Sequence, residues 1–153
     1  MTRKSVQSKP FVDGYFEALA FTNFGPDDGE LEDKSVSDLS FELYHSSLDD
    51  CRAFRAKADA LLSEAYERDY DEAQAGRDFW FTRCGHGVGF WDRQQLEPRG
   101  EWEALGSPRV DDSGWIEWVA IRDRSLGNRL SALAEGFGNV DLYLGDDGKV
   151  YGA

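Results

Sequence analysis

The chain has 153 residues, 41% hydrophobic and 14% aromatic, and its 17 Lys and Arg face 30 Asp and Glu for a net charge of −13. Apolar content of that size predicts one packed domain and argues against a disordered tail or several domains. The charge repels nucleic-acid phosphates, so it argues against direct DNA or RNA binding and for a partner protein with a basic surface.

The excess is uneven. Residues 1–10 carry three basic and no acidic side chains, residues 11–76 carry 17 acidic and five basic, and residues 77–153 carry 13 acidic and nine basic. This predicts a flexible basic tip, an acidic helical half and a hairpin-rich half within one domain. Asp13 is the expected N-cap of a first helix carrying Tyr15, Phe16 and Leu19, which Gly25-Pro26-Asp27-Asp28-Gly29 ends. The acidic segment from Glu30 to Asp38 reads as a solvated loop. Its Asp27, Asp28, Glu30, Glu32, Asp33 and Asp38 are the candidate contacts for a basic partner.

Ser40 is the next expected N-cap. Apolar residues at Phe41, Tyr44, Leu48, Cys51, Phe54, Ala58, Leu61, Leu62 and Ala65 step by threes and fours, which predicts one amphipathic helix of about 25 residues. Ser46-Ser47 before Asp50 marks an alternative break. Next comes DFWFTRCGHGVGFWDR, Asp78 to Arg93. Two aromatic segments around Gly85-His86-Gly87 predict a β-hairpin with the glycines at its tip.

Glu101–Leu105 is expected to pair with a strand over Trp115–Ile121, both of whose faces are largely apolar. Ser125 caps a second helix over Leu126–Phe137. Val140–Leu144, Gly145-Asp146-Asp147-Gly148 and Lys149–Tyr151 form the clearest hairpin, because Asp-Gly before an apolar strand is a strong turn signal. The expected class is α+β, an antiparallel sheet of hairpins with a long and a shorter helix packed against it.

No apolar run reaches the roughly 18–20 residues of a membrane span, and the basic start leads into no signal-peptide core. A cytoplasmic protein without membrane contact is expected. Cys51 and Cys84 show no disulfide spacing, and with His45 and His86 they form no CxxC or HxxxH pair, so neither metal nor cofactor is predicted. Asp146-Asp147-Gly148 lacks the rest of a calcium loop, and the glycines around His86 lack the P-loop lysine.

The run DFWFTRCGHGVGFWDR and the later DLYLGDDGKVYG resemble a family of small acidic proteins of tailed phages and prophages, whose members carry runs close to DFWLTRNGHGAGFWDR and DLYVGDDGKIY. The resemblance is specific over 77–93 and 130–151 and looser over 11–66. It implies a phage or mobile-element setting and no reaction, so no catalytic role is carried over.

Two functions follow as expectations. The first is a non-enzymatic phage accessory protein that binds a host protein, with surface carboxylates mimicking nucleic-acid phosphates to inhibit a defence or DNA-handling complex. The alternative is a small enzyme or ligand-binding domain using His86 as acid or base, tuned by Arg83, Asp92 and Arg93. Trp80, Trp91, Trp102, Trp115 and Trp118 would suit base stacking only in a basic groove, and only Arg77, Arg83 and Arg93 accompany them. Core packing is the expected role.

Overall fold

The computed structural model describes residues 8–104, 109–110, 112–114, 116–117 and 121–153. The expectations for residues 1–7, Leu105, Trp115 and 118–120 lie outside the described residues. The class is α+β, but helices dominate. They are α1 (Lys9–Asn23), α2 (Phe41–Lys57), α3 (Asp59–Tyr66), α4 (Glu72–Arg83) and α5 (Leu126–Glu135). The described strands form three antiparallel pairs in place of the expected sheet of hairpins: β1 (Trp102–Ala104) with β4 (Ile121–Asp123), β2 (Arg109–Val110) with β3 (Ile116–Glu117), and β5 (Leu142–Leu144) with β6 (Val150–Gly152).

The first helix starts earlier than expected. Ser8, not Asp13, is its N-cap and accepts from the Phe11 amide, with Pro10 in the first turn, where a missing N–H costs nothing. Asp13 sits inside the helix and pairs with Lys9 at 2.7 Å. Ser40 caps α2 as expected, accepting from the Leu43 amide at 3.1 Å. The long helix breaks once, at Ala58, and continues as α3. Ser46-Ser47 lies within α2.

The largest correction concerns Asp78–Arg93. Its first half is the end of α4, capped by Asp71, which accepts from the Gln74 amide at 2.8 Å. Phe90–Asp92 is a single 3-10 turn rather than a strand. Strand preference for aromatics measures how they fit a half-buried pleat. Here Glu72-Ala73-Gln74-Ala75, good helix formers behind a cap, extend the helix through the aromatics, which fill a helical core. Phe79 is fully buried and stacks on Phe54 with ring centroids 4.3 Å apart, and Phe54 stacks on Phe90 at 5.6 Å. Trp80 is buried and donates its indole N–H to the Thr22 hydroxyl at 2.8 Å.

α1 lies directly on α4 because two glycines remove the Cβ atoms that would separate them. A Cβ on Gly76 would overlap the Phe11 carbonyl, and one on Gly14 would overlap the Ala73 carbonyl. Of the expected strand over Trp115–Ile121, the two described ends belong to different pairs, Ile116–Glu117 with β2 and Ile121 with β1. The expected pairing of Glu101–Leu105 with this stretch survives as Ala104 opposite Ile121. Ser125 caps α5, and the hairpin at 142–152 forms as expected, with Leu144 opposite Val150. Its outer strand ties back to the start of α2: the Ser40 amide donates to the Val150 carbonyl at 2.8 Å, and Leu39 bridges Val150 in parallel.

Candidate functional site

The ends of the DFWFTRCGHGVGFWDR run hold each other. Asp78, fully buried on α4, receives Nε (2.9 Å) and Nη2 (2.6 Å) of Arg93 as a two-pronged pair. It also accepts from the Tyr70 hydroxyl at 2.6 Å and the Gln74 amide at 3.0 Å. Burial first, and the adjacent Asp78 carboxylate second, push the Tyr70 phenol well above its usual value. The hydrogen bond to Asp78 raises Arg93 further. A carboxylate so fully satisfied is a structural tie.

Arg83 is equally committed. Its Nε donates to the Gly138 carbonyl (2.8 Å), Nη2 to the Phe137 carbonyl (3.0 Å), and Nη1 to Asp50 (2.8 Å) and the Tyr15 hydroxyl (3.2 Å). Its guanidinium also lies over the Phe79 and Phe137 rings, 5.4 and 5.7 Å from their centroids. Burial opposes its charge, and Tyr15 and Asp50 outweigh that opposition. Asp92 is exposed and accepts from the Gly89 amide of its own turn at 2.9 Å.

His86 follows α4 on an exposed loop between Gly85 and Gly87, both at positive φ. Its ring neighbours are Trp80 and Phe81, each with centroids 6.4 Å away, and its backbone amide donates to the Phe81 carbonyl. Arg83, Asp92 and Arg93 all point their polar atoms elsewhere, so the four residues expected at one site do not converge. Among the described residues, surface cavities of about 450, 460 and 350 Å³ are lined by Arg55 with Tyr66, by Arg68 with Arg99, and by Leu43 with Tyr151, and His86 lines none of these. Burial raises both the Cys51 and the Cys84 thiol, the opposite of what a nucleophile needs. Among the described residues no group of three or more His, Cys, Asp and Glu side chains could hold a metal ion.

The acidic segment behaves differently. Asp27, Asp28, Glu30, Glu32 and Asp33 are exposed and Asp38 is half-buried, on a chain folded into two short 3-10 turns, Gly29–Leu31 and Val36–Asp38. Asp28 accepts from the Gly25 amide at 2.6 Å and Asp38 from the Ser35 amide at 2.8 Å, so those two also shape the loop. The Ser35 amide, and secondarily the Ser35 hydroxyl, hold the Asp38 carboxyl below its usual range against partial desolvation. None of the six joins the ion pairs found among the described residues. The turn at Gly29–Leu31 packs against β5, which brings the C-terminal hairpin and its exposed Asp141, Asp146 and Asp147 beside this segment.

Sequence reasoning missed the partners of the buried network: Tyr70, Asp50 and Tyr15 meet their arginine or carboxylate only through the tertiary packing, and Gln74 reaches Asp78 one turn on only because this stretch is helical. Compared with known protein families, curated proteins and solved structures, the chain matches none. Among the described residues no helix is long and apolar enough to cross a membrane.

Proposed function

We propose that this chain is a non-enzymatic binding protein, a phage or prophage accessory factor that docks an acidic face onto a basic surface of a host protein. The observation that carries this reading is the row of carboxylates over 27–38, ordered by short turns and outside the ion pairs found among the described residues, with only Asp38 close enough to Lys34 and Lys149 to feel their charge. Ion pairs within the chain would cancel a field meant for a partner. Carboxylates held in place without them keep it, at a cost in self-repulsion. A surface that normally receives nucleic acid, such as part of a defence or DNA-handling complex, has the complementary sign. The fold also packs β5, from the hairpin that carries Asp141, Asp146 and Asp147, on the Gly29–Leu31 turn, which the order of residues in the chain does not suggest.

The alternative, acid–base chemistry at His86, has less to support it, since Arg83, Asp92 and Arg93 are committed elsewhere and His86 lines none of the cavities described above. The test is a pull-down from host lysate across a salt series, comparing the wild-type chain with one carrying Asp27→Lys, Glu30→Lys, Glu32→Lys and Asp33→Lys. The expected result is a specific partner, lost on charge reversal and weakened by salt. Recovery of nothing at low and at moderate salt, or of the same partner by both proteins, sinks the proposal.

A further inference from the structure

The first turns of α2 expose rings where a helix next to a hairpin would normally bury them. Phe41 is 73% exposed and its ring lies 4.1 Å from that of His45, one turn on. His45 meets Tyr44 edge-on at 5.5 Å, and Tyr44 stacks almost flat, at 5.3 Å and 5°, on the buried Phe16 of α1. The four rings form a ladder rooted in the core and ending in solvent. A root of this kind fixes the outer rings before any partner arrives, so little rotamer freedom remains to be lost on binding. The exposed Glu42, between Phe41 and Tyr44 in the same turn of α2, joins no ion pair found among the described residues and lies near enough to Tyr151 of the hairpin to act on its phenol.

Exposed aromatic faces beside the Glu42 carboxylate, on a protein of strongly negative charge, match one side chain better than any other. Guanidinium is planar and weakly hydrated, stacks on rings and pairs with carboxylates through the same group. Ammonium carries the same charge but has no flat face. We propose that the Phe41–Tyr44–His45 ladder is the anchor of the partner-binding face and that it takes an arginine-rich segment of the partner. This inference rests on the acidic-face reading above and goes further by naming the anchor and the side chain it selects.

The test uses the full chain with nona-arginine and nona-lysine peptides, which carry equal charge, titrated calorimetrically at physiological salt. Nona-arginine is expected to bind about fivefold or more tightly than nona-lysine, with amide shift changes centred on residues 41–45. Phe41→Ala and Phe41→Leu should both erase that preference, lowering nona-arginine affinity more than nona-lysine affinity. The exposure of Phe41 leaves folding intact, which circular dichroism checks, and the leucine variant keeps the apolar bulk without the ring. Equal affinity for the two peptides, or a preference that survives both variants, overturns the ladder and leaves the acidic-face reading standing. Failure of both peptides to bind overturns the two together.

Discussion

Removing the guanidinium from Arg93 should cost this protein more than almost any other single surface-reaching change. In Arg93→Ala the Asp78 carboxylate keeps its place on α4 at zero exposure and loses both prongs of its one ionic partner among the described residues. The Tyr70 hydroxyl and the Gln74 amide remain, but they are neutral donors. Breaking a buried pair from one side typically costs about 3–5 kcal/mol, because an uncompensated charge stays in a low-dielectric site. Against a total stability of roughly 5–15 kcal/mol this is a large share, and in a chain of this length it lowers the melting temperature by about 6–20 °C. Urea unfolding followed by tryptophan fluorescence reads it as a shift in midpoint at constant slope. The double variant Asp78→Asn with Arg93→Ala removes the charge along with its partner and should recover more than half of the loss. A single variant within about 1 kcal/mol of wild type, or a double variant no better than the single, would refute the assignment of Asp78–Arg93 as a desolvated tie.

Gly76→Ala should destabilise by about 2–3 kcal/mol in the same assay, although a helical alanine usually gains about 1 kcal/mol over glycine. A gain would mean that α1 and α4 do not touch at this point. Stability should fall as the pH rises past about 9–10. Burial raises the Tyr15, Tyr70 and Cys51 groups in the folded state, so they stay neutral while their unfolded counterparts ionise, and the stabilisation present below the unfolded values is lost above them. Midpoints at pH 8 and 10.5 check this, and Tyr70→Phe should flatten the alkaline limb while costing about 1–3 kcal/mol at pH 8 through the lost bond to Asp78. Ser40→Ala should cost about 1 kcal/mol by removing the cap of α2.

What could be read from the residues was what neighbouring residues decide among themselves. Ser40 and Ser125 cap their helices from within one turn, and the glycine of Asp147-Gly148 supplies a positive φ at the tip of its hairpin. The aromatic run was misread because Phe79-Trp80-Phe81 suits a strand and a buried helix equally well by composition. The arbitrating signal lay upstream, in Asp71 and the alanines that follow it. At the N-terminus the corresponding signal was Pro10 two residues beyond Ser8. The carboxylates over 27–38 were recognisable from charge alone. Their company, Asp141, Asp146 and Asp147, was not, because a segment more than 100 residues away comes alongside only when β5 and β6 close on α2.

That closure has a kinetic consequence. The hairpin meets the helical body along one side: through the Ser40–Val150 hydrogen bond, the bridge at Leu39, Gly152 beside Leu43, the Gly29–Leu31 turn on β5 and the buried Val150 side chain. A two-stranded hairpin docked along one side of a helical core opens as a unit below the free energy of global unfolding. In native-state hydrogen exchange the amides of Ser40 and of the β5–β6 ladder should therefore lose protection together, well before those around Phe54 and Phe79. Each such opening also pulls the hairpin's carboxylates away from the first turn of α2. A partner that needs both at once would capture only the closed population, and its occupancy would report how firmly the docked hairpin stays beside the acidic segment.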